Sequence, residues 1–507
     1  MNKARYTLLG KTTNPTGISI ANIQEHKSQV KIVIDTEKSI SNFSQGLGAS
    51  FHAIENPILV TEDRTWGGSV WGANPKLNDE AAWEKILHYA DWLGLDWTRL
   101  ELEQRIYNPE KDIFTWDSDE MKILYRYLDW CETHNVDVLL QQMWSNTAWM
   151  AYPEHRKSEE GILTSAPYDK LKFAESYATL VGYLIHVRKY TCIKWLNFSN
   201  EPGESWSWWQ SCDNLEEAED IAPAFYLVRS ALDKKGIDIP LLGPDRTHSY
   251  GVLPDKVTFT DVLGGFDMHS YDTKFDWWPD TEEYKEFSSM QSTMDDIAQW
   301  VALGKGQNKP FLISEYGTFL YGVKKSSPMV ACRPAVVKDA ELIIRGINEG
   351  VAGFNKWSYL NRGDLDGQWQ LVDTWDIVNG GLLSVEEIKP HENSFNAFAL
   401  CSRFLPKRSD VLATTVEGGT DGTYQRVFAA AFKTPSNDYT FILVNDHEKP
   451  FTVSLNLSKS ISKDFILYRL DDMSGKSISI NQPFELKAND IVTLTTYKMN
   501  KDDSGKR

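Results

Sequence analysis

Two glutamates each stand directly after an apolar, strand-like run. Glu201 follows residues 194–200 and precedes Pro202, and Glu315 follows residues 311–314 and precedes Tyr316 and Gly317. A pair of carboxyls can divide acid–base work, one donating a proton to a leaving oxygen while the other attacks as a carboxylate. A single strand-end glutamate can equally cap a helix or pair with an arginine. Together they predict a paired-carboxylate site.

The elements needed to position them follow a regular rhythm. Between residues 45 and 390, eight strand-like runs alternate with amphipathic helical stretches, which predicts a (β/α)8 barrel. A doubly wound sheet has the same rhythm, but no GxGxxG or P-loop motif follows the first strand. The predicted strands are residues 46–51, 97–102, 136–142, 194–200, 239–243, 266–270, 310–314 and 353–358. The predicted helices are residues 78–93, 119–134, 168–190, 215–235, 292–303 and 335–349.

The barrel prediction brings the two glutamates together. They lie at the ends of the fourth and seventh strands, and reactive residues of such barrels sit at the carboxyl ends of the strands. These two positions face each other across the barrel mouth. A separation of about 5 Å there suits retaining glycoside hydrolysis.

The pattern changes after residue 395. Short strand-like runs follow one another, separated by Gly, Asn, Asp, Ser and Pro, with no helical period, which is typical of a β-sandwich. The run at residues 30–34, ahead of the barrel, also resembles a strand and is expected to join the C-terminal sheet. The sequence thus predicts an N-terminal segment (1–44), a barrel (45–394) and a β-sandwich domain (395–507). The predicted strands of the β-sandwich domain are residues 411–417, 426–433, 439–445, 451–457, 465–470 and 491–496.

Composition narrows the function classes. The net charge is −18, with no concentrated basic stripe, which argues against a nucleic-acid or anionic-membrane partner. Five scattered cysteines without CxxC spacing indicate neither a disulfide framework nor a zinc site. No apolar run is long enough for a signal peptide or a membrane span, so we expect a cytoplasmic protein, or a secreted one if a leader was removed. Nineteen tryptophans suit stacking on sugar rings, although large barrels also bury many.

Several motifs carry a family resemblance. Asn200-Glu201-Pro202 and Ser314-Glu315-Tyr316-Gly317 resemble the acid/base and nucleophile signatures of the retaining glycoside hydrolases of clan A, which are (β/α)8 barrels. Residues 45–51 (Gln-Gly-Leu-Gly-Ala-Ser-Phe) and 143–150 (Met-Trp-Ser-Asn-Thr-Ala-Trp-Met) are similar to segments of glycoside hydrolase family 30. Residues 146–147 and 199 differ from that family's usual pattern, so a sister family also fits.

The resemblance implies roles for individual residues. Glu201 is expected to be the acid/base, Glu315 the nucleophile, and Asn200 a ligand of the sugar 2-hydroxyl. Arg99 is expected beside Glu315, where it would keep that carboxylate ionised; a buried salt bridge supporting the barrel is the alternative. No metal and no organic cofactor is required.

Weaker candidates line the same wall. His269 and Tyr271 resemble the sixth-strand pair of such sites, with Tyr271 able to hydrogen-bond Glu315, although a lone histidine is more often structural. Trp357 resembles the platform beneath the reacting sugar. Trp144 and Asn146 are further substrate-binding candidates.

The sequence leaves the exact activity open. Exo-acting hydrolysis of β-linked glycosides, endo-cleavage of a polysaccharide, transglycosylation and a non-catalytic carbohydrate-binding barrel all fit, and both carboxyls being present argues against the last. Aromatic clusters at residues 66–71, 206–209 and 276–278 can build sugar subsites or pack loops. The acidic loop with Asp364 and Asp366 can bind an ion, sugar hydroxyls or only water. The sugar, the linkage and the oligomeric state are not specified.

Overall fold

The structure is a computed structural model. It describes residues 29–54, 58–59, 70–71, 73–202, 208–212, 217–247, 257–271, 290–318, 333–360, 369–376, 379–421 and 424–498. Among these residues no helix is both long and apolar enough to cross a membrane.

Eight parallel strands close into a barrel. The sheet runs in chain order, and the first strand pairs with both the eighth and the second, so the predicted (β/α)8 fold is confirmed. The first strand is split in two, and Gly48 in its first half pairs with Trp97 of the second strand. A Cβ at Gly48 would lie 2.1 Å from the Trp97 carbonyl oxygen, so only glycine permits this approach. In order, the barrel strands are Gly46–Ala49 with Phe51–His52, Trp97–Glu103, Asp137–Trp144, Ile193–Asn197, Leu241–Thr247, Leu263–Ser270, Phe311–Tyr316 and Gly353–Lys356.

Helices follow the strands as the periodicity predicts. Ser118 caps the helix that ends at His134 by accepting a hydrogen bond from the Met121 amide, and Asp79 caps the preceding helix in the same way. The predicted helix at residues 168–190 is shorter, because its α-helical part gives way to a π-helical turn, Tyr183–Val187. The α-helices are Glu80–Leu93, Asp119–His134, Glu159–Thr164, Lys170–Gly182, Glu217–Lys234, Met290–Gln307, Arg333–Glu349 and Ser394–Ser402.

The barrel interior is layered. At the amino ends of the strands, a small apolar cluster fills the barrel around Trp97, Leu139, Leu242 and Leu312. Towards the carboxyl ends, the inward positions become polar and charged. Alternation along a strand sends every second residue inward, so one strand supplies both the apolar floor and the reactive groups above it.

The second domain is a mixed nine-stranded sheet that curls around one apolar core. Its core contains side chains from near both ends of the sheet, such as Leu467 and Leu486. Two strands were not predicted: Asp472–Ile478, which is turn-rich and partly exposed, and Phe484–Leu486, which is only three residues long. The strands, in sheet order, are Asp472–Ile478, Phe465–Arg469, Asp490–Thr495, Tyr439–Asn445, Val427–Lys433, Ser409–Gly418, Gln29–Phe43, Phe451–Leu457 and Phe484–Leu486.

The strand Gln29–Phe43 lies inside this sheet rather than at its edge. It pairs antiparallel with Ser409–Gly418 and parallel with Phe451–Leu457. The β-domain is therefore built from both parts of the chain that flank the barrel, as the sequence predicted. We propose residues 44 and 394 as the domain boundaries.

One barrel helix, Arg333–Glu349, docks onto the β-domain. Lys338 Nζ lies 2.7 Å from Asp446 Oδ2, and Asn348 donates to the Ala429 carbonyl at 2.9 Å. Arg345 lies over the Phe428 ring, 5.2 Å from its centroid. This helix is the one that follows the seventh strand in the chain, so the β-domain packs against the outer layer of the barrel.

Replacing Ile32 with alanine should destabilise the β-domain by about 2–5 kcal/mol, because its side chain is fully buried in that core and its removal leaves a cavity. The neighbouring Lys31 is the matched control. It points to solvent and forms a surface ion pair with Glu417, so Lys31→Ala should cost less than about 1 kcal/mol. Urea unfolding of both variants measures the difference, and equal effects would contradict the assigned register.

Candidate active site

The second barrel strand brings a buried arginine into the mouth. Arg99, Glu101 and Glu103 alternate along it and point inward. Arg99 is fully buried, and Glu101 Oε1 accepts from its Nη1 at 2.5 Å. The same Nη1 contacts Glu315 Oε2, and Nη2 donates to Asn200 Oδ1 at 2.7 Å. Arg99 thus links the ends of the second, fourth and seventh strands.

A bulge turns Glu315 into the barrel. Ile313 pairs with Met268, whereas Glu315 rather than Ser314 pairs with His269, so one extra residue is inserted in the seventh strand. Such a bulge re-aims the following side chain. The Tyr271 hydroxyl then donates to Glu315 Oε1 at 2.6 Å. Both oxygens of Glu315 are held by side chains from other strands.

Glu201 lies on the loop after the fourth strand. That strand ends at Asn197, earlier than predicted, and Glu201 adopts a left-handed backbone with φ of 46°. Its amide donates to the Asp245 carbonyl at 3.0 Å, which holds this unusual conformation in place. The Glu201 Oε1 atom lies 2.8 Å from Nδ1 of His269.

The two carboxyl groups, Glu201 and Glu315, form a close pair. One oxygen from each, together with a ring nitrogen of His269, lies within 4.8 Å of the others. Retaining glycosidases place their carboxyls about 5–5.5 Å apart, and inverting ones about 6.5–9.5 Å apart. The approach of these two oxygens is closer to the shorter of the two ranges.

Burial and charge set the protonation of this site. Burial raises the pKa of Glu315 above its ordinary value, while His269 and Arg99 act to lower it. Burial alone would lower the pKa of His269, but Glu315 and Asp245 outweigh it and raise that pKa well above the ordinary value. These two carboxyl groups therefore favour the protonated form of the His269 ring.

A second acidic pair lies beneath His269. The Asp245 amide donates to Asp267 Oδ1 at 2.9 Å, and both side chains are fully buried. Burial and the neighbouring Asp245 raise the pKa of Asp267 to about 7. Sequence reasoning missed both aspartates, and also Gln141, which bonds Arg99 and Asp245. The feature of the sequence that could have identified these three residues is that each is a polar side chain in an otherwise apolar strand.

The weaker candidates are placed as follows. Trp357 is buried, with the Arg99 guanidinium 5.5 Å from its ring centroid and the His52 ring 4.9 Å away. Asn146 donates to Glu103 Oε2 at 3.0 Å, and Trp144 pairs with Glu103 in strand register. The structure thus places Trp357 against the buried arginine, and Asn146 and Trp144 one layer further out.

The structure describes only part of the aromatic clusters that the sequence suggested as sugar subsites. Trp208 and Trp209 are buried and pack on Phe173, so they support the loop after the fourth strand instead of facing a ligand. Trp206, residues 66–69, residues 276–278 and the loop with Asp364 and Asp366 lie outside the described residues.

Within the described chain, Glu201, His269 and Glu315 are the group whose spacing could hold a metal ion. Both nitrogens of His269 face carboxylate oxygens, and Arg99 contacts Glu315. A metal ion placed among them would displace these hydrogen bonds and would lie close to the Arg99 guanidinium. The arrangement therefore favours hydrogen-bonded acid–base chemistry over metal binding.

No protein-family model and no curated protein matches the sequence significantly. Solved structures match over nearly the whole chain. The catalytic domain of a family 30 xylanase C from Talaromyces cellulolyticus gives a TM-score of 0.60 at 13% identity, covering 92% of this chain and 99% of its own. This chain shares its fold. A family 51 arabinofuranosidase from Xanthomonas axonopodis pv. citri gives 0.59 at 13% identity (92% and 99% covered). An endo-β1,6-glucanase gives 0.57 at 15% identity (92% and 94% covered).

Proposed function

We propose that this protein is a retaining β-glycoside hydrolase that acts by double displacement on β-linked oligo- or polysaccharides. The observation that supports this most strongly is the close pair formed by Glu201 and Glu315 at the barrel mouth. Their surroundings differ: Glu315 contacts Arg99 and Tyr271, whereas Glu201 contacts His269. Different surroundings suit a nucleophile and an acid/base.

In the first step, a Glu315 oxygen attacks the anomeric carbon and the bond to the leaving oxygen breaks. Glu201 gives its proton to that oxygen as it departs. In the second step, Glu201, now a carboxylate, takes a proton from water. The resulting nucleophile displaces Glu315 from the anomeric carbon and restores both groups.

The remaining side chains serve this sequence of steps. Arg99 and the Tyr271 hydroxyl hold both oxygens of Glu315 and favour its ionised form. Asn200 accepts a hydrogen bond from Arg99 through its side-chain oxygen, and we assign it as a ligand of the sugar 2-hydroxyl. We assign Trp357 as the platform of the reacting sugar, with Trp144 and Asn146 further out.

The solved structures of similar fold suggest which carbohydrates to test first as substrates. The structures of similar fold are named as a xylanase, an arabinofuranosidase and an endo-glucanase, so xylo-, arabino- and gluco-configured substrates are the first to test.

A substrate panel with stereochemical detection tests the proposal. Nitrophenyl glycosides of these sugars and β-linked oligosaccharides should include one that is turned over, with Glu315→Ala as the blank. Proton NMR during the first minutes should show the product with the anomeric configuration of the substrate. A product of inverted configuration would refute the double displacement. Binding of oligosaccharides without any turnover would identify a carbohydrate-binding barrel instead.

A further inference from the structure

The ring of His269 lies between two carboxyl groups. Its Nδ1 is 2.8 Å from Glu201 Oε1 and its Nε2 is 3.0 Å from Asp245 Oδ1. His269 and Asp245 have no solvent-exposed surface. The three side chains come from the ends of the sixth, fourth and fifth strands, so three elements of the barrel converge on one hydrogen-bonded chain.

The orientation of Asp245 is fixed by its other neighbours. A guanidinium only donates, so Arg99 Nε must face the oxygen of the Gln141 amide, and the Gln141 nitrogen therefore faces the other way. That nitrogen donates to Asp245 Oδ2 at 2.9 Å. Both oxygens of Asp245 thus face donors, which favours its carboxylate form.

We propose that Asp245 is a positioning residue for the acid/base: it holds His269 as the doubly protonated imidazolium, whose Nδ1–H binds Glu201 Oε1. This rests on the proposed role of Glu201. Because Oε1 accepts that bond, the acidic proton of Glu201 must reside on Oε2. The proton is then on the oxygen that does not bond His269, and the proposed mechanism delivers it from there to the leaving group.

The charges around His269 come from every neighbouring strand. Asp267 lies on its own strand and Tyr271 directly after it, and the other strands and the loops that follow them contribute Arg99, Glu201, Asp245 and Glu315. Its Nδ1 lies 3.6 Å from Glu315 Oε2, so the same cation stabilises both carboxylates of the proposed mechanism. Burial and Asp245 raise the pKa of Asp267 to about 7, and it is Asp245 whose Oδ1 lies 3.0 Å from Nε2.

Asp245→Asn tests this with little change in shape. Gln141 still presents its nitrogen, so the new amide must turn its oxygen to Gln141 and its NH2 to His269. Nε2 then has to accept, and His269 becomes neutral. Without the cation, Glu201 and Glu315 both hold their protons more tightly. Both limbs of the pH profile of kcat/KM should therefore move to higher pH by about 0.5–1 unit.

Two comparisons separate positioning from simple support of the fold. Asp238→Asn, at the exposed approach to the same strand, should leave the profile in place. If Asp245 acts through His269, the double variant Asp245→Asn/His269→Gln should shift the limbs no further than His269→Gln alone. A uniform loss of kcat/KM with an unmoved profile, or additive shifts, would overturn the proposal.

A spectroscopic measurement does not depend on turnover. Ring-nitrogen NMR of histidine-labelled protein, with the His269→Gln variant identifying the signal, should show both nitrogens protonated at neutral pH in the wild type and only Nδ1 protonated in Asp245→Asn. A neutral ring in the wild type would overturn the proposal. If the ring behaves as expected but no glycoside is turned over, the hold of Asp245 on His269 stands and the proposed hydrolase function fails.

Discussion

Glu315→Ala should lower kcat/KM by at least about 10⁴-fold, whatever the leaving group, because the proposed glycosyl–enzyme bond cannot form without this carboxylate. Glu315 is the member of the carboxyl pair with both oxygens held, by Arg99 and by Tyr271. Steady-state kinetics on the best substrate of the panel measures the loss. Azide is a small external nucleophile that can take the place of the missing carboxylate, so it should restore turnover and give a product of inverted configuration.

The fold of this variant should remain intact, since Arg99 keeps its bonds to Glu101 and Asn200. Circular dichroism and the melting temperature check this directly. Glu349→Ala, on the exposed end of the helix that follows the seventh strand, is the matched control and should keep full activity. Unchanged turnover in Glu315→Ala would refute the mechanism.

Glu201→Ala should lower activity on substrates with poor leaving groups much more than on substrates with good ones. Activity on poor leaving groups should fall about 10²–10⁴-fold, because departure of the oxygen then lacks a proton donor. Activated aryl glycosides need no such donor and should still form the intermediate. Azide, which attacks without a general base, should then accelerate turnover and yield a glycosyl azide with the β configuration.

The azide product also decides which carboxyl has which role. The β product requires two inversions, the first at Glu315, so Glu201 is then the acid/base. An α-glycosyl azide from Glu201→Ala would reverse the two assignments. Conservative Glu201→Gln is the matched comparison, since it keeps the His269 contact while removing the acid, and it should show the same division among substrates.

Much of the fold could be predicted from sequence because apolar strand-like runs alternate with amphipathic helical stretches in the barrel and follow one another without helices in the β-domain. The predicted runs at residues 439–445 and 451–457 coincide with the observed strands. The strand Asp472–Ile478 was not predicted because it is partly exposed and rich in turn residues, and Phe484–Leu486 was not predicted because it is only three residues long. Their pairing depends on neighbours far away in the chain.

The site could be predicted only in part. Glu201 and Glu315 are identifiable because each interrupts the pattern at the end of an apolar run. Asp245 and Gln141 are not, since a polar residue in a strand is informative only when the residues beside it are known. The bulge that directs Glu315 inward likewise depends on the register between two strands.

The inner position of the strand Gln29–Phe43 has a consequence for synthesis. Translation makes this strand before the barrel, yet both of its partners, Ser409–Gly418 and Phe451–Leu457, are made after it. During translation its apolar face, with Val30, Ile32 and Ile34, therefore stays without its partner strands until some four hundred further residues have been made. A nascent chain stalled before residue 409 exposes an unpaired strand, and chaperone binding to the growing chain should concentrate there.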